Sequence, residues 1–420
     1  MGEHIMEIEI LHEDRLRTWC GWLQLPAGAT EALVDMAGQI RADENLLGIF
    51  TAFYEQTSLR GEWFREWAPL PMSSFIKQSL DEHRASLFYL LGYMAALPNA
   101  SRTYRRIGIR REILLDTMYD ISIWMTNYFD VHSAWGFDQF AWITFHLECK
   151  LFRLGRLQFA LAPFRWKIMA FRHRSSGHIL LLGDPTQPLR ADGYAEGAGG
   201  KEIIEDERWF AVFEATPAGW RGNRIAPQGY TMREQVFLLR SEWEPVLQHG
   251  DTVLDLHIPR GEKMTLEVCR ESLQRAFSFF PEFWPDRPFK GVCCHTWFFT
   301  PQLQQILPPE SNLVRFQREF YLFPHPGSKD FLWSYVFGAR YTDPSTAPRD
   351  TSLRQAVLDW LSDGNELFDL PGVMLHIPEA WGTQPYYSTD EARLPQQPLP
   401  VILEEEEQED EEEDTTLDAE

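Results

Sequence analysis

Cysteine is scarce in this sequence. Five occur in 420 residues, Cys20, Cys149, Cys269, Cys293 and Cys294, and no two stand in a C-x-x-C spacing. An odd count with one adjacent pair argues against a disulfide framework and points to reduced thiols. Positive charge is scarce as well. Lys and Arg number 39 against 62 Asp and Glu, a net charge of −23. Residues 404–420 hold 12 of the acids and no basic residue; with those 12 set aside the −23 becomes −11. A chain this acidic offers no basic face for replacing the counterions of nucleic acid, and an anionic membrane surface repels it. Long apolar runs are missing too. The uncharged stretch 85–97 spans 13 residues and meets Pro98, whereas a transmembrane helix needs about 20. The first seven residues carry no apolar core, so no signal peptide is expected. These absences predict a soluble, cytoplasmic protein that binds neither nucleic acid nor membrane.

Aromatic residues are plentiful: 14% of the chain, with 16 Trp and 29 Phe. Such a chain buries a large core without disulfides or metals. Its length implies two or three domains at roughly 100–200 residues each.

The first part reads as helices. Stretches 31–40 and 44–55 form a helical hairpin, and 74–97 follows, opened by Ser73 or Ser74 and stopped at Pro98. In 110–129, Ile113, Leu114, Met118, Ile121 and Met125 recur at three- and four-residue steps, as on an amphipathic helix. A last helix is expected over 138–154, and no strand before Gly155. Trp124, Trp135, Trp142 and His146 read as core; Trp142 and His146 are four apart and can touch.

After Gly155 the period changes to two. Strands are expected at 156–164, 167–172, 178–182, 209–215, 235–239, 252–258, 290–297, 313–322 and 373–377. Residues 173–177 are a turn. Helices are expected at 265–280, capped by Thr265, at 301–307 and at 352–361. The expected class is α+β: a helical domain over 1–153, a mixed sheet domain over 154–385 and a disordered acidic tail over 386–420. That tail reads as a solubilising end, or as an interaction segment for a protein partner.

Four constellations could carry chemistry. Gly193 to Lys201 is glycine-rich, but Ala195 and Glu202 break the phosphate-loop spacing, so it reads as a surface loop. Asp255 and His257 share one face of an expected strand. There the carboxylate can orient a basic imidazole, or the pair can be structural. Cys293 and His295 share a face of another strand, with Cys294 opposite. Metal binding and thiol nucleophilicity both come to mind, but the second ligand pair of a zinc site is missing, so no metal is expected. Ser311 and Asn312 read as a turn, with Asn312, Arg315 or Gln317 as the alternative substrate contacts. Arg153 and Arg156 flank Gly155, where they can tie the domains together.

Several segments resemble one bacterial family described as acyltransferase-domain-containing. Trp124-Met-Thr-Asn-Tyr, Trp135-Gly-Phe-Asp and Leu151-Phe-Arg-Leu-Gly-Arg-Leu-Gln-Phe resemble its N-terminal helical domain. Gly250-Asp-Thr-Val-Leu-Asp-Leu-His-Ile-Pro-Arg-Gly, Cys294-His-Thr-Trp and Ser311-Asn-Leu-Val-Arg-Phe-Gln resemble its C-terminal domain, which is similar in fold to the GNAT N-acetyltransferases. The resemblance implies two adjacent parallel strands that splay at their C-terminal ends, here 252–258 and 290–297, and admit an acyl-CoA. It implies transfer of the acyl group to a small-molecule or peptide amine. His257 would be the base, oriented by Asp255, with His295 as second candidate. Arg260, Gly261, Lys263 and Thr265 would meet the CoA pyrophosphate; Cys294, Trp297, Asn312 and Arg315 would line the substrate site. The chain departs from the usual R/Q-x-x-G-x-G/A loop, because Lys263 stands where the first Gly belongs, and 301–307 holds no Tyr to act as acid. The alternatives are a non-catalytic protein that kept the cleft for binding, and a Cys/His hydrolase using Cys293 or Cys294.

Overall fold

The computed structural model describes residues 8–59, 61, 74–200, 207–338, 341 and 343–382. The acidic tail 386–420, Ser73, Lys201 and Glu202 lie outside the described residues. Among them, nine helices come first: α1 Glu13–Trp22, α2 Ala27–Ala42, α3 Glu44–Tyr54, α4 Ser74–Ser79, α5 Glu82–Met94, α6 Leu97–Ile107, α7 Arg111–Met118, α8 Asp120–His132 and α9 Phe140–Leu147. The α2/α3 hairpin is as expected, and Asp43 caps α3 by accepting from the N–H groups of Asn45 and Leu46. Pro98 does not end a helix. It occupies the first turn of α6, where its missing N–H costs nothing, and Gly108 closes that helix at φ +93. The expected helix over 110–129 breaks between Met118 and Asp120. The break puts the Asp120 carboxylate in the first turn of α8, where the helix dipole favours it.

The sheets are built from β1 Leu151–Leu154, β2 Leu157–Pro163, β3 Met169–His173, β4 Ile179–Leu182, β5 Pro188–Leu189, β6 Trp209–Phe210, β7 Phe213–Ala215, β8 Gly219–Ile225, β9 Thr231–Leu239, β10 Trp243–Leu247 and β11 Thr252–His257. After them come α10 Leu266–Phe283, β12 Val292–Thr296, α11 Leu303–Ile306, α12 Asn312–Gln317, β13 Tyr321–Leu322, α13 Lys329–Phe337, α14 Ser352–Ser362 and β14 Leu370–Met374. The central sheet runs β1-β2-β11-β12-β14-β13, and only β11 and β12 are parallel neighbours in it. A second, antiparallel sheet runs β10-β3-β4-β8-β7, with β9 on β8. Strands β5 and β6 pair separately.

Three departures from expectation have local causes. Residues 151–154 are a strand, not the end of a helix. Helix α9 stops at Leu147, Cys149 takes φ +56, and Gly155 at φ +86 turns a hairpin that pairs Leu154 with Leu157. Residues 313–317 are helix α12, not strand. Ser311 caps it by accepting from the Val314 N–H at 3.2 Å, and the buried Gln317 amide donates to the carbonyls of Phe298 and Thr300. Strand β8 is too polar and glycine-rich to read as one. Its Asn223 makes up the difference by donating to the carbonyls of Met232 and Arg233 and accepting from the Val212 N–H.

Thr265 caps α10 as expected, its hydroxyl accepting from the Val268 N–H at 3.4 Å. Leu266, Cys269, Leu273, Ala276 and Phe280 form the buried stripe of α10. That stripe joins Leu254, Leu256, Val292, Cys294 and Met374 and the helical region in one continuous core. On the opposite face of the central sheet, Val253, Cys293, Tyr321 and Val373 pack against Ile168, Ala170, Leu181 and Ile225 of the second sheet. The architecture is therefore three layers with the central sheet in the middle. No described helix is long and apolar enough to cross a membrane.

Below α12, Glu319 is only 4% exposed; one oxygen accepts from the Gly382 N–H at 3.0 Å and the other lies 3.5 Å from His376 Nε2. Burial pushes its carboxyl up to about 7. A raised folded-state value means that stability is fully present below the unfolded carboxyl range and is lost as pH rises through about 7. Glu319→Gln keeps the acceptor for Gly382 and removes that loss. It should raise the urea midpoint at pH 8 by an equivalent of roughly 2 kcal/mol and change it little at pH 5. Equal shifts at the two pH values would contradict a buried, ionising carboxylate.

Candidate active site

The ladder between β11 and β12 has two rungs, Leu254 with Val292 and Asp255 with Cys293. Beyond them each strand turns to its other neighbour. Leu256 and His257 pair with Phe159 and Gln158 of β2, while Cys294, His295 and Thr296 pair with Gly372, Pro371 and Leu370 of β14. The two strands thus part at their C-terminal ends, as the resemblance implied. The Leu254 N–H donates to Gly291 and the Lys290 N–H to Thr252, both at 2.9 Å. By strand alternation the Leu256 N–H and C=O face the gap as well.

Asp255, His257 and His295 project from one face of the central sheet, at the open ends of the two strands. His257 Nε2 lies 3.4 Å from Asp255 Oδ2, and the imidazole is 33% exposed. Burial raises the Asp255 carboxyl, but the His257 imidazole, with Arg165 and His295 farther off, holds it below its ordinary value. The edge of Trp142 meets the His257 ring at a centroid distance of 4.8 Å. Trp142 is itself held: its Nε1–H donates to Asp120 Oδ2 at 3.0 Å, and His146 Nε2 lies 2.9 Å from the same oxygen. Asp120 and His146 are fully buried. Burial raises the Asp120 carboxyl, and His146, Gln158 and Trp142 together bring it below its ordinary value. Trp142 and His146 do touch, edge to face, as their spacing predicted.

His295 has its own carboxylate. Its Nε2 is 2.5 Å from Asp369 Oδ2, and Asp369, 2% exposed, also accepts from the Ser328 N–H. The ring of His325 stands perpendicular to that of His295 at 5.1 Å. Burial first, then the charge of His295, lowers His325 to about 4, against the pull of Asp369.

The loop before α10 is fastened from below. Arg156 donates to the carbonyls of Pro259 and Glu262, both at 2.7 Å. Arg153 approaches Gly261, and its Nη1 is buried without a partner. Arg260 turns away, donating to Asn127 at 2.6 Å and pairing with Asp130 of α8 at 3.1 Å. Lys263 is exposed, beside the capped turn at Thr265.

Other expected contacts are not brought to the gap. Cys294 is 1% exposed and faces α10, on the side of the sheet opposite His295. Trp297 packs into the small core of α13 and α14. Asn312 opens α12, and Arg315 lies close enough to Glu267, in the first turn of α10, to help lower its carboxyl. The hydrolase reading lacks a nucleophile: burial, then the charge of Asp255, drives both the Cys293 and Cys294 thiols well above their ordinary value. Asp120, Asp369, His325 and Arg165 escaped the sequence reading, because each reaches the site from a distant element with no local spacing signal. No group of three or more His, Cys, Asp or Glu that could hold a metal occurs among the described residues.

Two outcomes follow from the burial. All five cysteines are buried. A thiol reagent should therefore titrate essentially none in the native protein and five after unfolding; rapid native labelling of one would break this account. Asp120→Ala leaves His146 and the Trp142 indole without their acceptor. It should lower stability by about 3 kcal/mol in urea unfolding, and a loss under 1 kcal/mol would mean that the cluster is not a packed unit.

The comparisons with known proteins agree with this fold. Residues 14–149 match the N-acyltransferase N-terminal domain and residues 151–374 the GNAT-like C-terminal domain. No curated protein matches the sequence. Among solved structures, the chain is similar to an acyltransferase in complex with decanoyl-CoA and teicoplanin, and to an acyltransferase mutant in complex with octanoyl-CoA. Each is 20% identical, with a TM-score of 0.57, over 86% of this chain and 88% of that one. An acyltransferase in complex with decanoyl-CoA gives 17% identity and a TM-score of 0.56 at the same coverage. The helical layer, the parted parallel strands and the two domain matches lead to one assignment: the chain belongs to the family that joins an N-acyltransferase N-terminal domain to a GNAT-like C-terminal domain.

Proposed function

We propose that this protein is an acyl-CoA-dependent N-acyltransferase. The observation that carries the reading is the parting of β11 from β12 beside an Asp255–His257 pair. A slot walled by main chain suits the narrow, amide-bearing pantetheine arm, and Leu256 offers it both a donor and an acceptor. Solved acyltransferases of this fold are in complex with octanoyl-CoA, decanoyl-CoA and CoA, which supports the same donor here. Two of those complexes contain teicoplanin or 10C-teicoplanin, which supports a small-molecule acceptor. The pyrophosphate would meet the first turn of α10, where the positive end of the helix dipole favours an anion. Arg153 and Arg156 stand by Gly261 in the loop before that turn, with Lys263 next along it and Thr265 as the cap.

The acceptor nitrogen attacks the thioester carbonyl carbon. A C–N bond forms, the C–S bond breaks, and the nitrogen gives up a proton. His257 takes that proton, directly or through water, and Asp255 stabilises the imidazolium that results. The edge of Trp142 restricts the swing of the ring, so the proton acceptor stays at the gap. CoA leaves as a thiolate and needs little acid assistance, because an ordinary thiol has a pKa of about 8.5. His295 with Asp369 is the second candidate base. One observation favours the alternative of a non-catalytic binding protein: Arg260, the first position of the expected phosphate loop, is bonded to Asn127 and Asp130 instead.

Thermal unfolding with CoA, acetyl-CoA, octanoyl-CoA and decanoyl-CoA separates the two. A ligand at 100 times its Kd adds about 2.7 kcal/mol to stability. Thiol release with pooled amines then tests the chemistry. His257→Ala should lower turnover roughly 100-fold or more. A loss confined to His295→Ala would move the base to His295, and unchanged turnover in both variants would remove the catalytic assignment.

A further inference from the structure

We infer that a cleft next to the paired histidines is the acceptor pocket, and that it takes a small amine carrying a carboxylate. This inference deepens the acyltransferase reading and rests on it. The cleft has a volume of about 280 Å³. Small-ligand pockets run from about 300 to 1,000 Å³, so its occupant is of amino-acid or dipeptide size.

Its wall is formed by Arg165, Trp166 and Lys167 from the connection between β2 and β3, by Thr231 at the start of β9, and by His325 after β13. In a chain of net charge −23, two exposed cations stand here, and neither forms an ion pair among the described residues. Arg165 lies over the Trp166 ring at 4.7 Å, and Lys167 donates only to the Thr186 hydroxyl at 3.2 Å. Asp184, the acid on this wall, accepts at Oδ1 from the N–H and hydroxyl of Thr186. Thr231, 3% exposed, closes the wall, its Oγ1 buried on the side of Gly183. A planar carboxylate answers this pair: it accepts from guanidinium and ammonium at once.

The reacting end is equally specified. His325 lines the cleft and stands 5.1 Å from His295, ring centre to ring centre. His325 is uncharged at neutral pH, so it accepts an N–H from the incoming amine and does not repel it. The charge of Arg165 is felt both at His325 and at Asp255. The cleft thus meets the site through His325, and the anion seat lies on its far side, past the end of β2 that pairs with the start of β11. The bonds exchanged are those of the transfer described above.

Glycine, β-alanine, 4-aminobutyrate and glycylglycine, each against its carboxamide, test the inference with acetyl-CoA and decanoyl-CoA as donors. Each carboxylate of suitable length should exceed its amide by 10- to 100-fold in kcat/KM. Arg165→Met and Lys167→Met should bring that ratio close to one. Transfer with equal rates for carboxylate and amide would overturn the pocket while leaving the acyltransferase reading intact. Calorimetry with the same amino acids and no CoA gives a readout that does not need turnover. Binding that is lost in Arg165→Met, without transfer to any amine, would uphold the pocket and sink the acyltransferase reading. Neither binding nor transfer in the wild-type protein would overturn both. Circular dichroism and melting of each variant confirm that the fold is kept.

Discussion

The requirement that every buried main-chain N–H and C=O find a partner governs this molecule. Strands β11 and β12 satisfy one another over only two rungs. Their remaining needs are met on the outside, β11 by antiparallel β2 and β12 by antiparallel β14. Because those outer ladders continue to the strand ends, the inner edges can separate without unravelling the sheet. The gap follows from where the hydrogen bonds go.

Two layers keep the gap in place from opposite sides. Helix α10 and the N-terminal helices share one apolar core with Leu254, Leu256 and Cys294. The second sheet covers Val253, Cys293 and Val373 on the other face. What stays open is the end of the strands, where Asp255, His257 and His295 lie. The helical layer also reaches into the chemistry. The fully buried Asp120 is held by His146 and Trp142, and Trp142 abuts His257. A buried carboxylate is expensive unless it is paired, and Asp120 Oδ2 takes both the Trp142 indole and His146, so this cluster ties α8 to α9 beside β11. The two matched regions are thereby one mechanical unit at the site.

How much was legible depended on how local each signal was. Thr252 to Ile258, the Thr265 cap and Lys290 to Trp297 were readable because alternation and capping act within a few residues. The pairing of Asp255 with His257 was readable for the same reason: strand geometry alone puts them on one side. The segment from Leu313 to Leu322 was misread, because Leu313, Phe316 and Phe320 suit a helical stripe as well as a strand, and only the cap at Ser311 and the bonds of Gln317 decide. Leu151 to Leu154 was misread because a strand of four residues is defined by its partner β2. Arg260 fits the phosphate-loop position by spacing, yet Asn127 and Asp130 of α8 claim its guanidinium in space.

The sequence alone determined the order of helices before sheet, the strand–helix–strand unit around α10, and the face that carries Asp255 and His257. Periodicity and capping are short-range, so they survive in one dimension. Only the tertiary structure decided which carboxylate serves His295, which aromatic ring steadies His257, and which cations line a recess in an acidic protein. Those contacts join residues far apart along the chain, and no local pattern encodes them. They arise when three layers close around one sheet and leave one end of two strands uncovered.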